Sequence, residues 1–213
     1  MDLIVNLDLQ LFTDINDFAR ATPWLHLPML ILSTYALVVY AVLWVGAWWI
    51  ARQQASPRAM AAVVWAPIGL LVASAVSAPI GAAVGEQRPC RALPHIEVIG
   101  KCGKSSSFPS DHAVAAGAVV VGLLLVTRRL LAWIGVIAAL LIAFSRLYLG
   151  VHYPHDTLAG LALGAAVSLV GWLVVRVVLT RITTGLSNTP LRPLFTTAPT
   201  RTRDTTPATT TSA

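Results

Sequence analysis

The chain has 213 residues, 56% of them apolar and only 11% charged, with a formal net charge of +6. A soluble domain carries about a quarter charged residues, so this composition argues against a water-soluble globule and makes bilayer the expected solvent. The basic residues gather at the ends of apolar runs, which is the pattern of membrane topology and argues against nucleic acid as a partner.

The start, Met1-Asp2-Leu3-Ile4, has no basic segment, and no short apolar stretch precedes a cleavage site, so no cleaved signal peptide is expected. In residues 3–18, Leu3, Leu7, Leu11, Ile15 and Phe18 share one helical face, interrupted by Asp8, Asp14 and Asp17. The pattern predicts an amphipathic helix at the membrane interface, packed on the bundle, rather than a span. A spanning helix needs roughly 20 mostly apolar residues. Five stretches qualify, at about 28–50, 59–84, 110–127, 130–150 and 156–178, the third marginal in length. The second holds Pro67 and Pro79, which neighbouring membrane helices can accommodate. From Thr183 the chain turns rich in Thr and Pro and reads as disordered. The expected organisation is an all-α polytopic bundle: an amphipathic segment over 1–22, a membrane domain over 23–182, and a disordered tail over 183–213.

Five spans put the two ends on opposite sides. One side carries Arg52, Arg58, Arg128, Arg129, Arg181, Arg192, Arg201 and Arg203, and is expected to be cytoplasmic. The other carries Arg20, the loop 85–109 with Arg88, Arg91, Lys101 and Lys104, and the turn at 150–155. Cys90 and Cys102 both lie in that outer loop, where a disulfide could persist; two unpaired thiols are the alternative.

Three polar islands reach this outer face: Gly85 to Arg91, Ser107 to His112, and Ser145 to Asp156. Ionisable groups at such depths are functional candidates. Arg88 and Arg146 are permanent cations with donor forks suited to phosphate oxygens. Pro109-Ser110 reads as a helix start, whose free N–H groups attract anions, and His112 falls in its first turn. Asp156 follows His152 by four residues across Pro154, so a carboxylate can fix the imidazole tautomer and leave the other nitrogen nucleophilic. The set suits phosphoryl transfer through a phosphohistidine. It suits a metal poorly, because His-x-x-x-Asp across a proline is no recognised zinc spacing and the arginines would repel a cation. His155 reads as an interfacial histidine outside the site. Glu86 and Glu97 read as solvated loop charges, and Gly160 and Gly164 as a packing step within the bundle.

These residues resemble the type 2 phosphatidic acid phosphatase (PAP2) superfamily of membrane lipid phosphatases. Its third motif, Ser-Arg-x5-His-x3-Asp, is complete in Ser145, Arg146, His152 and Asp156. Its second, Pro-Ser-Gly-His, stands as Pro109-Ser110-Asp111-His112, with Asp in place of Gly. Its first, Lys-x6-Arg-Pro, keeps Arg88-Pro89 but has Gly81 where the lysine belongs. The resemblance spans about residues 60–178. It implies that His152 attacks phosphorus, Asp156 holds it, and His112 protonates the leaving oxygen and then activates water. It also implies that Arg88, Arg146 and Ser110 bind the phosphoryl oxygens, and that no metal or other cofactor is needed. Lys101 and Lys104 are the candidate substitutes for the missing lysine. Phe-Pro-Ser-Asp-His is similar to the bacterial BcrC-like branch, which implies a polyprenyl diphosphate as substrate, in recycling of the cell-wall carrier lipid. A glycerolipid phosphate (phosphatidic acid or phosphatidylglycerol phosphate) and a prenyl-phosphosugar phosphate stay open. The motifs also resemble vanadate haloperoxidases, a soluble class that five spans disfavour. A transporter would place its charges near mid-bilayer.

Overall fold

The computed structural model describes residues 2–127 and 129–197. Among them the chain is helical throughout, with no strand. Helix α1 (Asp2–Ala21) leads through a 3₁₀ turn (Pro23–Leu25) into α2 (His26–Thr34) and α3 (Ala36–Gln54). Then come α4 (Pro57–Val84), the short α5 (Pro89–Ala92), α6 (Asp111–Val126), α7 (Leu130–Tyr148), α8 (Pro154–Leu186) and α9 (Arg192–Phe195).

Among the described residues, four helices are long and apolar enough to cross a membrane: α3, the helix beginning at Pro57, α7 and α8. The fifth expected span, α6, has only 16 residues. It sits at the centre, packed most extensively on α8 and α4, with a run from Ala113 to Ala118 buried. Small residues make that central place available. A Cβ on Gly164 would overlap the Val114 carbonyl, and one on Gly160 would come 2.8 Å from the Ser110 carbonyl. The Gly160/Gly164 step therefore seats α8 directly on the backbone of α6.

Three boundaries differ from the sequence reading. The first span is broken at Tyr35, so α2 stands apart from α3 and carries Ser33 to the outer end of α7. Helix α1 docks through Phe12, Asn16 and Ala19, all buried, while Leu7 and Leu11 remain 56% and 49% exposed. The leucine face thus points away from the protein, as a bilayer-facing surface would. The predicted disorder from Thr183 is also corrected. Thr183 is buried and donates to the Pro57 carbonyl at 2.9 Å, and α8 runs on to Leu186. Helix α9 then folds back on α3, where Trp48 donates to the Leu194 carbonyl at 3.0 Å. A Thr- and Pro-rich composition did not prevent order there, because α3 offers donors to the returning chain. Residues 198–213, with Arg201 and Arg203, and Arg128 lie outside the described residues.

Candidate active site

The three polar islands meet at one end of the bundle. Helix α4 ends at Gly85, whose positive φ of 64° suits a residue without Cβ. The chain then turns so that Arg88 points inward, 6% exposed. Its guanidinium is held on three sides: Nε donates to the Ser105 carbonyl (3.1 Å), Nη2 to Ser105 Oγ (3.0 Å) and Nη1 to the Val151 carbonyl (3.2 Å). The same Nη1 lies 2.8 Å from His152 Nε2. Guanidinium has no acceptor, so Nη1 donates and Nε2 accepts.

That contact decides the tautomer of His152. With Nε2 carrying a lone pair, Nδ1 holds the proton and faces Asp156 Oδ2 at 3.3 Å. Asp156 is fully buried in the first turn of α8, and the same Oδ2 accepts from Ser107 Oγ (2.5 Å) and the Tyr153 N–H (2.8 Å). The carboxylate is thereby fixed by two donors besides the histidine. Burial, followed by the nearby Arg88 and Arg146 charges, pushes His152 below the ordinary histidine value against the opposing pull of Asp156. The imidazole is neutral with a lone pair on Nε2. The tight turn before it needs Gly150 at φ 72°, where a Cβ would also overlap the Glu97 carbonyl.

The other walls come from α6, α7 and α2. Ser110 caps α6; its N–H donates to the Asp156 carbonyl at 3.1 Å, while its hydroxyl is buried with no hydrogen-bond partner. Arg146 Nη1 donates to Ser33 Oγ, and its Nε also lacks a partner. His112 and Arg146 line one cavity of about 540 Å³ together with Ser33 and Lys101. Arg88 lines a separate cleft with Arg91, Lys104 and Glu86. Lone-pair nitrogen, unpaired hydroxyl, guanidinium N–H and helix N-terminus are the groups that a phosphoryl group could use here, the nitrogen toward phosphorus and the donors toward its oxygens. Cys90 and Cys102 are joined in a disulfide, with Cα atoms 6.1 Å apart, which ties the loop over 85–109 beside Arg88.

Several residues were missed or misread. Ser33, on α2, holds Arg146, and Ser105 and Ser107, in a loop rich in serine, hold Arg88 and Asp156; nothing in the sequence assigns them these partners. His155 is not an isolated interfacial group. Its Nδ1 faces Asp8 Oδ2 at 2.8 Å, its Nε2 faces Glu86 Oε2 at 3.0 Å and Asp156 Oδ1 at 3.4 Å, and its ring stacks with Phe108 and Tyr153. Glu86 is correspondingly not a free loop charge; burial raises its pKa, partly offset by His155. Glu97 accepts from Asn16 through its backbone carbonyl, and its N–H donates to Asn16 Oδ1. Glu86, His155 and Asp156 place ligand-type atoms within 4.8 Å of one another, the one grouping among the described residues that could hold a metal. Both His155 nitrogens face carboxylates, which only accept, so each donates and no lone pair is left for a metal. The cluster fits a hydrogen-bonded clamp better than a metal centre.

Residues 62–180 match the PAP2 superfamily. The chain belongs to that superfamily. Among its PAP2 relatives, it is 28% identical over 173 residues to the undecaprenyl-diphosphatase BcrC of Bacillus subtilis, covering 78% of this chain and 82% of that one. It is 32% identical over 170 residues to the putative undecaprenyl-diphosphatase YbjG of Escherichia coli, covering 76% and 79%. The fold is similar to that of a transmembrane PAP2-type phosphatidylglycerolphosphate phosphatase from Bacillus subtilis, with a TM-score of 0.57 at 20% identity, over 78% of this chain and 84% of that one. This PAP2 protein is a multi-pass membrane lipid phosphatase.

Proposed function

We propose that the protein hydrolyses a polyprenyl diphosphate to the monophosphate and phosphate through a phosphohistidine on His152. The observation that carries this reading is the His152 tautomer, with Nδ1 on Asp156 and the Nε2 lone pair held beside Arg88. The Nε2 lone pair attacks the terminal phosphorus as the bond to the bridging oxygen breaks, and the lipid monophosphate leaves with that electron pair. His112 gives it a proton, then takes one from the water that cleaves the P–N bond. Asp156 keeps the Nδ1 proton in place and offsets charge growing on the ring. Arg88, Arg146, the Ser110 hydroxyl and the N–H groups opening α6 receive the phosphoryl oxygens.

The diphosphate is favoured by the Phe108-Pro109-Ser110-Asp111-His112 sequence and by the similarity to undecaprenyl-diphosphatases. The arginine distribution and the outer-loop disulfide support an outward-facing site and a cytoplasmic C-terminus. The test is phosphate release by purified protein from undecaprenyl diphosphate and from phosphatidic acid, in detergent with EDTA. Turnover of the diphosphate is expected, with His152→Ala inactive but folded. Release from phosphatidic acid alone would replace this substrate with a glycerolipid. Turnover retained in His152→Ala would overturn the nucleophile.

A further inference from the structure

The first motif of the superfamily asks for a lysine where this chain has Gly81. A Cβ at that position would lie 2.9 Å from the Phe108 carbonyl oxygen, backbone of the segment that carries the second motif. No lysine can be seated at 81 unless that segment shifts, so a cation for the site has to come from elsewhere.

Two outer-loop lysines are available, and they face different spaces. Lys104 lines the cleft of Arg88 and Arg91, whereas Lys101 lines the cavity of His112 and Arg146. Lys101 is exposed, but its backbone is bracketed. On one side Glu97 is hydrogen-bonded both ways to Asn16 (2.7 and 2.8 Å) and the Ile99 N–H donates to the Leu149 carbonyl at 3.2 Å. On the other, Cys102 is covalently tied to Cys90, two residues from Arg88. An exposed lysine between two such anchors keeps its place while its ammonium remains free to reach into the cavity.

The reaction geometry says what it would meet there. A phosphoryl group at His152 Nε2 sends its leaving oxygen away from the attacking nitrogen, toward the proton donor. That donor, His112, opens onto the cavity that Lys101 lines. We propose that Lys101, with Arg146, forms a subsite for the second phosphate of a diphosphate headgroup, the one that departs with the lipid. This rests on the phosphohistidine reading above and deepens it. The distal phosphoryl group is transferred at His152, and the proximal phosphate is held by Lys101 before the P–O bond breaks and while it accepts the electron pair. A monoester leaves an alkoxide oxygen on an apolar chain and has no second phosphate for Lys101 to hold.

The experiment compares kcat/KM on undecaprenyl diphosphate and on phosphatidic acid for wild type, Lys101→Ala and Lys101→Arg. Lys101→Ala is expected to lose about tenfold or more on the diphosphate, the range for a hydrogen bond to a charged group, and less than about twofold on the monoester. Lys101→Arg should keep most of the diphosphate activity. Equal losses on the two substrates at an unchanged melting temperature, or no loss on either, would overturn the subsite. If the wild-type protein cleaves phosphatidic acid and not the diphosphate, the substrate reading falls, and this subsite with it.

Discussion

His152 illustrates how burial and one contact with a cation set a residue's chemistry. Burying the ring penalises its charged form, and Arg88 donating to Nε2 reinforces that penalty. The imidazole needed for attack therefore survives to lower pH than an ordinary histidine, whose pKa is about 6.5. The acid limb of the kcat/KM profile is expected below that value, and a profile that falls already above pH 7 would contradict the neutral resting state. Stability follows with a definite sign. The folded protein binds this proton less readily than the unfolded chain, so the contribution of His152 is present above about pH 6.5 and is lost as pH falls toward the lower folded value. Unfolding in detergent followed across pH 5 to 8 checks this, with His152→Gln as the reference that lacks the group.

At the scale of elements, α6 and α8 form the platform of the site, and their contact depends on missing side chains. Gly164→Ala inserts a methyl group against the Val114 carbonyl, backbone that cannot move aside as a flexible side chain would. The expected cost is about 1–3 kcal/mol or more, read as a lowered melting temperature, with activity lost through the displaced Ser110–His112 turn. Helix α1 reaches the same site through Asp8, which receives both the backbone N–H and Nδ1 of His155 at 2.8 Å. His155 in turn lies against Asp156. Asp8→Asn keeps the size and removes the charge. It is expected to lower kcat by about threefold to tenfold with little change in KM, as for a group that positions another rather than binding substrate. Unchanged kcat would show that α1 is an interfacial anchor only.

For the whole molecule, the loop over 85–109 is tied by one covalent link, Cys90–Cys102. Replacing Cys90 and Cys102 by serine releases a segment of sequence separation 12. A loop of this size is worth roughly 2–3 kcal/mol in the unfolded-state entropy account. The double variant should melt earlier and should lose more activity on the diphosphate than on phosphatidic acid, because Lys101 loses one of its anchors. The native cysteines should label with a membrane-impermeant maleimide in intact cells only after reduction. Labelling confined to opened vesicles would invert the orientation.

Composition was enough to define a helical membrane protein, while motif spacing and the PAP2 resemblance put forward His152, His112, Asp156, Arg88, Arg146 and Ser110 as the site, and the fold brings the three segments that carry them to one end of the bundle. Hydrophobic length reports spanning directly, and the residue types, a nucleophile beside a carboxylate with cations for an oxyanion, suit phosphoryl transfer, while their spacings resemble the PAP2 motifs. The packing was not legible. A short α6 at the centre, a first span broken at Tyr35 and ordered chain beyond Thr183 all depend on neighbours that linear hydropathy does not see. The partners of the site were hidden for the same reason. Ser33, Ser105 and Ser107 are ordinary loop and helix residues until the fold sets them against a guanidinium or a carboxylate. Asp8 and His155 lie 147 positions apart in sequence and 2.8 Å apart in space. The pattern of residues pointed to the chemistry; the tertiary structure decided which serines and which third histidine stand beside those residues, because close contact between distant segments is set by packing.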